Sequence, residues 1–133
     1  MSADYVIDAS ALVLALTGKS AAAHALRQQL LATRRHAPHL IDAEVGNVLR
    51  RHEQSGRISP DEAQAALCAG GALIDYRYPH AGSLAELAWT RRANVSFYDA
   101  LYVALAARLG IPLMTTDARL ARAPALGCQI ELV

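Results

Sequence analysis

Four acidic residues, Asp8, Glu44, Asp99 and Asp117, each stand where an apolar run gives way to a helical pattern. The local strings are Tyr5-Val6-Ile7-Asp8, Ile41-Asp42-Ala43-Glu44, Phe97-Tyr98-Asp99 and Met114-Thr115-Thr116-Asp117. Only Asp117 has a basic residue within three positions, Arg119. Four carboxylates gathered at one place raise one another's pKa values unless a cation compensates. A divalent metal is the simplest compensation. Magnesium or manganese suits an all-oxygen donor set, keeps several waters and pairs with phosphates, whereas the absence of an adjacent His or Cys disfavours zinc. The chemistry implied is metal-assisted phosphodiester hydrolysis, in which one ion helps to deprotonate a water and a second steadies the leaving oxygen. Four carboxylates support one ion or two.

Each acid also has a local reading, because Asp and Glu are favoured at helix N-termini. Asp8 and Asp117 fit N-caps, Glu44 fits the first turn after a cap at Asp42, and Asp99 fits a capping box with Ser96. Taken singly, the local reading is sufficient; taken together, the four favour a shared site. Asp42 is assigned to capping, since two positions along a helix point about 200° apart and both acids cannot face one ion. Ser10 and Thr116 adjoin Asp8 and Asp117, as hydroxyls that orient a carboxylate or as local caps. Tyr98 and Tyr102 bracket Asp99 and are assigned to the core. Trp89, with Leu84 and Leu87, is read as an anchor for a core or a dimer face.

The elements that must position these residues follow from pattern and punctuation. Asp4 to Ile7 reads as a short buried strand, and Ala9 to Leu16 as a helix closed by Gly18. A second helix spans Ala21 to Thr33, with Pro38 marking a break. A third runs from Asp42 to about Gln54, stopped by Ser55-Gly56. Ser59-Pro60-Asp61-Glu62 is a strong helix start leading through Ala63 to Ala69, with Gly70-Gly71 as its end. Leu73 to Tyr78 reads as a strand, Ser83 to Arg92 as a helix, and Ser96 opens a long helix ending at Gly110. Pro112 to Thr115 is a strand, Asp117 to Arg122 a brief helix, and Gln129 to Val133 a final strand. Strands alternating with helices predict an α/β fold with a parallel sheet covered on both faces. Ligands of such sheets bind beyond the carboxyl ends of the strands, where Asp8 and Asp117 project.

The chain of 133 residues is expected to form one domain over 1–133 with a self-sufficient core. With 53% apolar and 19% charged residues it is compact rather than disordered. Cys68 and Cys128 lack metal-ligand or redox spacing and read as buried free thiols. No apolar stretch predicts a membrane span, and no basic leader a signal peptide, so a cytoplasmic protein is expected. Thirteen basic residues face twelve acidic ones, and twelve of the thirteen are arginines. Setting the four central acids aside leaves a basic surplus. Arg27, Arg34, Arg35, Arg50, Arg51, Arg91, Arg92, Arg119 and Arg122 are candidate phosphate contacts, with a solvated face as the alternative.

Four motifs in order resemble those of PIN-domain ribonucleases, and more closely the VapC-type toxins of bacterial toxin–antitoxin pairs. Val6-Ile7-Asp8-Ala9-Ser10-Ala11-Leu12-Val13 resembles the first acidic motif of that family, and Glu44-Val45-Gly46-Asn47-Val48-Leu49 its glutamate-bearing helix. Asp99-Ala100-Leu101-Tyr102-Val103-Ala104-Leu105-Ala106 is the most distinctive string. Leu113-Met114-Thr115-Thr116-Asp117-Ala118-Arg119-Leu120 is similar to the strand and aspartate that close the site. The resemblance implies a three-layer α/β/α sandwich with a central, mainly parallel sheet, and Mg2+ (or Mn2+) held by Asp8, Glu44, Asp99 and Asp117 as the catalytic set. It further implies cleavage of RNA, often structured RNA such as tRNA, a homodimer, and a small antitoxin partner that lays a tail and a basic side chain near the acids. Between Glu53 and Gly82 no motif matches, so substrate and antitoxin choice are not legible there. The competing readings are a catalytically weak PIN-like protein that binds RNA or a partner, and another magnesium enzyme such as a phosphatase or phosphoacceptor domain. Ser10 stands where such a phosphatase has a second Asp, and Lys19 is the only lysine, which argues against the latter pair.

Overall fold

The computed structural model describes residues 3–133. Five short strands form one sheet: β1 (Asp4–Ile7), β2 (Arg34–Pro38), β3 (Tyr76–Tyr78), β4 (Leu113–Thr115) and β5 (Ile130–Leu132). Their order across the sheet is β3-β2-β1-β4-β5, and every neighbouring pair is parallel. Parallel pairing requires crossovers, which the helices supply. These are α1 (Ala9–Thr17), α2 (Ala21–Leu31), α3 (Leu40–Gln54), α4 (Pro60–Leu73), α5 (Ser83–Trp89), α6 (Phe97–Leu109) and α7 (Ala118–Arg122). Helices α1 to α4 pack on one another as one layer, whereas α6, with α5 on it, crosses β1, β2 and β4 as the other. The α/β/α sandwich with a parallel sheet is therefore the observed fold.

The core is built where the sequence is most uniformly apolar. Seven consecutive residues of α6, Ala100 to Ala106, are buried, as are Val6, Ile7, Leu113 and Met114 of the central strands. A helix apolar on all sides must be enclosed on all sides. Local caps set the helix ends. The Ser20 hydroxyl accepts from Ala23 N–H, Ser59 and Glu62 form a reciprocal capping box, and Gly110 closes α6 at φ +66. No single helix among the described residues is long and apolar enough to cross a membrane.

Several expectations are corrected. Arg34 to Pro38 is a strand although it carries no apolar alternation, because it is paired on both sides, with β1 and with β3. Helix α2 accordingly stops at Leu31. Helix α4 passes through Gly70-Gly71 to Leu73, which shortens the following strand to Tyr76–Tyr78. Gly70 is buried where α4 meets α1, and a Cβ there would stand 3.1 Å from Leu16 Cδ1, so the glycine permits the close crossing. Helix α5 ends at Trp89 rather than Arg92. Cys68 is exposed, not buried. Trp89 and Tyr98 are also outside the core, at 57% and 60% exposure, with Trp89 edge-on to Phe97 and beneath the Arg92 guanidinium.

Candidate active site

The strand order places the topological switch between β1 and β4, the point at which ligands enter open parallel sheets. Ile7 pairs with Met114 there, and Asp8 N–H donates to the Met114 carbonyl at 3.2 Å. The residues after both strands consequently emerge side by side. A cleft of about 560 Å³ opens at this edge, and Asp8, Glu44, Asp99 and Asp117 all line it, together with Ser10, Asn47, Arg51, His52, Tyr102 and Thr116. The four acids that stood apart in sequence thus come from four separate elements into one concavity.

Each is held differently. Asp8 is 7% exposed and caps α1, its Oδ1 accepting from Ala11 N–H at 2.9 Å and from the Ser10 hydroxyl at 2.6 Å. Ser10 Oγ in turn accepts from Thr116 N–H at 3.1 Å, so one hydroxyl ties the ends of β1 and β4 to the buried carboxylate. The Thr115 hydroxyl accepts from Asp117 N–H at 3.1 Å, and the partner of that turn is therefore Thr115 rather than Thr116. Asp117 caps α7 through Arg119 N–H at 2.9 Å and lies 3.7 Å from the Arg119 guanidinium. Asp99 sits in the first turn of α6. Its backbone N–H, at 3.1 Å from Ser96 Oγ, makes the cap, and its half-buried side chain faces the cleft.

Glu44 lies beyond the first turn of α3, since that helix begins at Leu40 with His39 before it. A helix-end role for it is thereby removed. Its Oε1 accepts from the hydroxyl of Tyr102 on α6 at 2.6 Å. Asp42 is not a cap either: it sits in the first turn and takes two hydrogen bonds from Arg77, at 2.7 and 2.9 Å. It is absent from the cleft lining, as the angular argument requires.

The electrostatics follow from this crowding. Burial pushes the Asp8 carboxyl above its ordinary value against the pull of its hydrogen bonds, and the Asp117 charge adds to the rise. Burial likewise raises Glu44, with Asp99 and Asp8 contributing, and raises Asp99, with Asp8 and Asp117 contributing. Tyr102 is driven far up by burial and then by the Glu44 carboxylate beside it, so its phenol remains a neutral donor. A positive charge introduced here would relieve this crowding. Among the described residues, no three His, Cys, Asp or Glu side chains converge closely enough to ligate one ion directly. An ion that retains its waters and takes one or two carboxylates directly, as magnesium does, fits this open donor set; a zinc cage does not.

Most of the candidate arginines are spent on the fold. Arg27 donates to the carbonyls of Ala15 and Gly18, Arg35 to those of Leu30 and Leu73, and Arg91 to those of Leu87 and Leu126. Most of these are carbonyls left over at helix ends. Arg34 pairs with Asp4, and Arg92 donates to the Trp89 carbonyl at 2.8 Å. Arg51 is the arginine that lines the cleft, seven residues after Glu44 on the same face of α3. Asn47 and His52 share that face and were missed in the sequence as site residues; the signal was their i+3 and i+8 spacing from Glu44.

Comparison with known proteins agrees with this fold. The model of the PIN domain matches residues 5–126. The chain is 56% identical over 128 residues to ribonuclease VapC1 of Mycobacterium tuberculosis, covering 96% of each. Among solved structures it superposes on VapBC2 from Rickettsia felis, bound to a DNA fragment of its promoter, with a TM-score of 0.71 at 12% identity, covering 98% of each chain. It also superposes on Mycobacterium tuberculosis VapC20, a sarcin-ricin loop cleaving toxin, with a TM-score of 0.69 at 17% identity, covering 94% of this chain and 98% of that one. The parallel sheet, the acidic cleft at its switch point and the sequence identity across nearly the whole chain converge: the chain belongs to the PIN-domain family, among its VapC-type members.

Proposed function

We propose that this protein is a divalent-metal-dependent endoribonuclease acting as the toxin of a toxin–antitoxin pair, with Asp8, Glu44, Asp99 and Asp117 as its catalytic residues and as the set that would hold the metal, one or two of them directly and the others through its waters. The observation that carries the reading is the meeting of four carboxylates, from β1–α1, α3, α6 and β4–α7, in one cleft where, among the described residues, Arg51 is the only lining arginine. An anionic phosphodiester would be repelled by such a cleft unless a cation were bound there. Magnesium or manganese, when bound, supplies charge stabilisation to the phosphate and an acidified water. The chain's own residues hold the geometry: Ser10 and Ala11 fix Asp8, Tyr102 fixes one oxygen of Glu44, and the rigid start of α6 presents Asp99. Arg51, on the rim, is suited to a flanking phosphate.

On this reading residues 1–133 form a single PIN domain, cytoplasmic and homodimeric, whose substrate is RNA, structured RNA such as tRNA included. A small antitoxin is its partner, its basic side chain competing with the cation for the acids. The relatives' names support the RNA-cleaving and toxin–antitoxin parts of this reading: VapC1 is a ribonuclease, VapBC2 is bound to a DNA fragment of its promoter and VapC20 is a sarcin-ricin loop cleaving toxin. The test is digestion of total RNA by the purified chain, freed of any co-purified partner, in magnesium, in manganese and in chelator, beside Asp8→Asn and Asp99→Asn. Metal-dependent fragments that vanish in both variants support the nuclease. No cleavage by a folded, metal-binding chain would replace it with the RNA- or partner-binding reading.

A further inference from the structure

Tyr102 is a core residue by burial, at 2% exposure, yet packing alone does not require its hydroxyl. A buried phenol costs free energy unless it is partnered. Its partner is the Glu44 carboxylate, 2.6 Å away, a charge-assisted bond. The two residues come from opposite layers of the sandwich, α3 from one and α6 from the other. Among the described residues this is the one side-chain hydrogen bond joining α3 to α6. Tyr102 stands three residues after Asp99, on the same face of the same helix, so the element that presents Asp99 also grips Glu44. Helix α6 is a rigid base for this purpose, enclosed from Ala100 to Ala106.

We propose that Tyr102 is a positioning residue of the nuclease centre: its phenol fixes Glu44 Oε1 before the cation arrives and leaves Oε2 to serve it. The inference rests on the nuclease reading. A free glutamate loses rotamer freedom when it is immobilised on an ion. A glutamate already tethered by a rigid donor has lost part of that freedom beforehand, and the ion binds more tightly for it.

The experiment is calorimetric titration of Mn2+ into the full chain without RNA, paired with RNA cleavage across Mn2+ concentrations, for wild type, Tyr102→Phe, Glu44→Gln and the double variant. Phenylalanine keeps the ring in the core. Tyr102→Phe is expected to weaken Mn2+ binding about tenfold. Its cleavage should fall by a similar factor at low Mn2+ and return at high Mn2+. In the Glu44→Gln background the added change should produce less than about a twofold further loss, because coupled partners are non-additive. Unchanged Mn2+ affinity in Tyr102→Phe overturns the tether while leaving the nuclease reading standing. So does a loss that excess Mn2+ does not restore, or one of equal size in the Glu44→Gln background. A wild-type chain that binds no Mn2+ overturns both.

Discussion

Replacing Asp99 by Asn removes one charge from the cleft while keeping the shape of the side chain, and the structure fixes the sign of two separate effects. The capping bond at the start of α6 uses the backbone N–H of residue 99, with Ser96 Oγ as acceptor, so the substitution leaves it in place. What changes is the carboxylate, which is raised in pKa by burial and then by the charges of Asp8 and Asp117. Relieving like-charge repulsion at a half-buried group that solvent still reaches is worth about 1 kcal/mol. In chelator, Asp99→Asn should therefore unfold about 3 to 5 °C above wild type, the shift that ~1 kcal/mol produces in a domain of this size. Cleavage should move the opposite way. Loss of an electrostatic group aimed at the reacting phosphate costs about 10³-fold in turnover, equivalent to ~4 kcal/mol of transition-state stabilisation. The assay is a pair of thermal melts, in chelator and in Mn2+, beside initial rates of RNA cleavage. Wild type should gain more from Mn2+ than the variant, narrowing or inverting the gap in melting temperature. A variant that cuts RNA at the wild-type rate refutes the site assignment. One that melts below wild type in chelator refutes the electrostatic argument, whatever its activity.

Stability in chelator should fall with rising pH as far as the cleft is concerned. Asp8, Glu44 and Asp99 have folded-state values raised above the ordinary 3.8 and 4.5, chiefly by burial, so between the unfolded and folded values the folded chain holds more protons. The melting advantage of Asp8→Asn over wild type should consequently widen as pH climbs through that interval, and a constant gap from about pH 4 to 7 would count against it. Asp4 works oppositely, since Arg34 and then His36 hold its carboxyl below 3.8, so its contribution is present above that value and lost in acid. Ser10→Ala should lower cleavage by about 10- to 100-fold and stability by about 1 to 2 kcal/mol, because it strips a donor from a buried carboxylate and an acceptor from Thr116 N–H. Wild-type activity in that variant would remove Ser10 from the site. Arg51→Ala should weaken binding of RNA to the Asp99→Asn protein and reduce the slope of log affinity against log salt by about 0.7 to 0.9, the signature of one lost phosphate contact. An unchanged slope would return Arg51 to the solvated surface.

Much of this molecule is legible in the order of its residues alone, and the reason is local. Ser59-Pro60-Asp61-Glu62 specifies a helix start by bonds spanning three residues, Gly110 specifies a helix end by a conformation that glycine adopts freely, and the apolar run of α6 admits only a buried helix. The four acids are visible because each interrupts an apolar pattern at an element boundary. Tertiary structure decided what depends on partners far along the chain. Arg34 to Pro38 has no strand pattern of its own and is a strand because β1 and β3 flank it. Asp42 left its expected cap for Arg77, 35 residues away. Glu44 and Tyr102 meet across 58 residues, turning a core tyrosine into the holder of a carboxylate. Whether the four acids shared one cleft depended on the sheet order, which places β4 beside β1. Backbone propensity acts over a few residues and can be read from the chain; strand order is settled by long-range pairing, and the cleft exists only once that pairing is made.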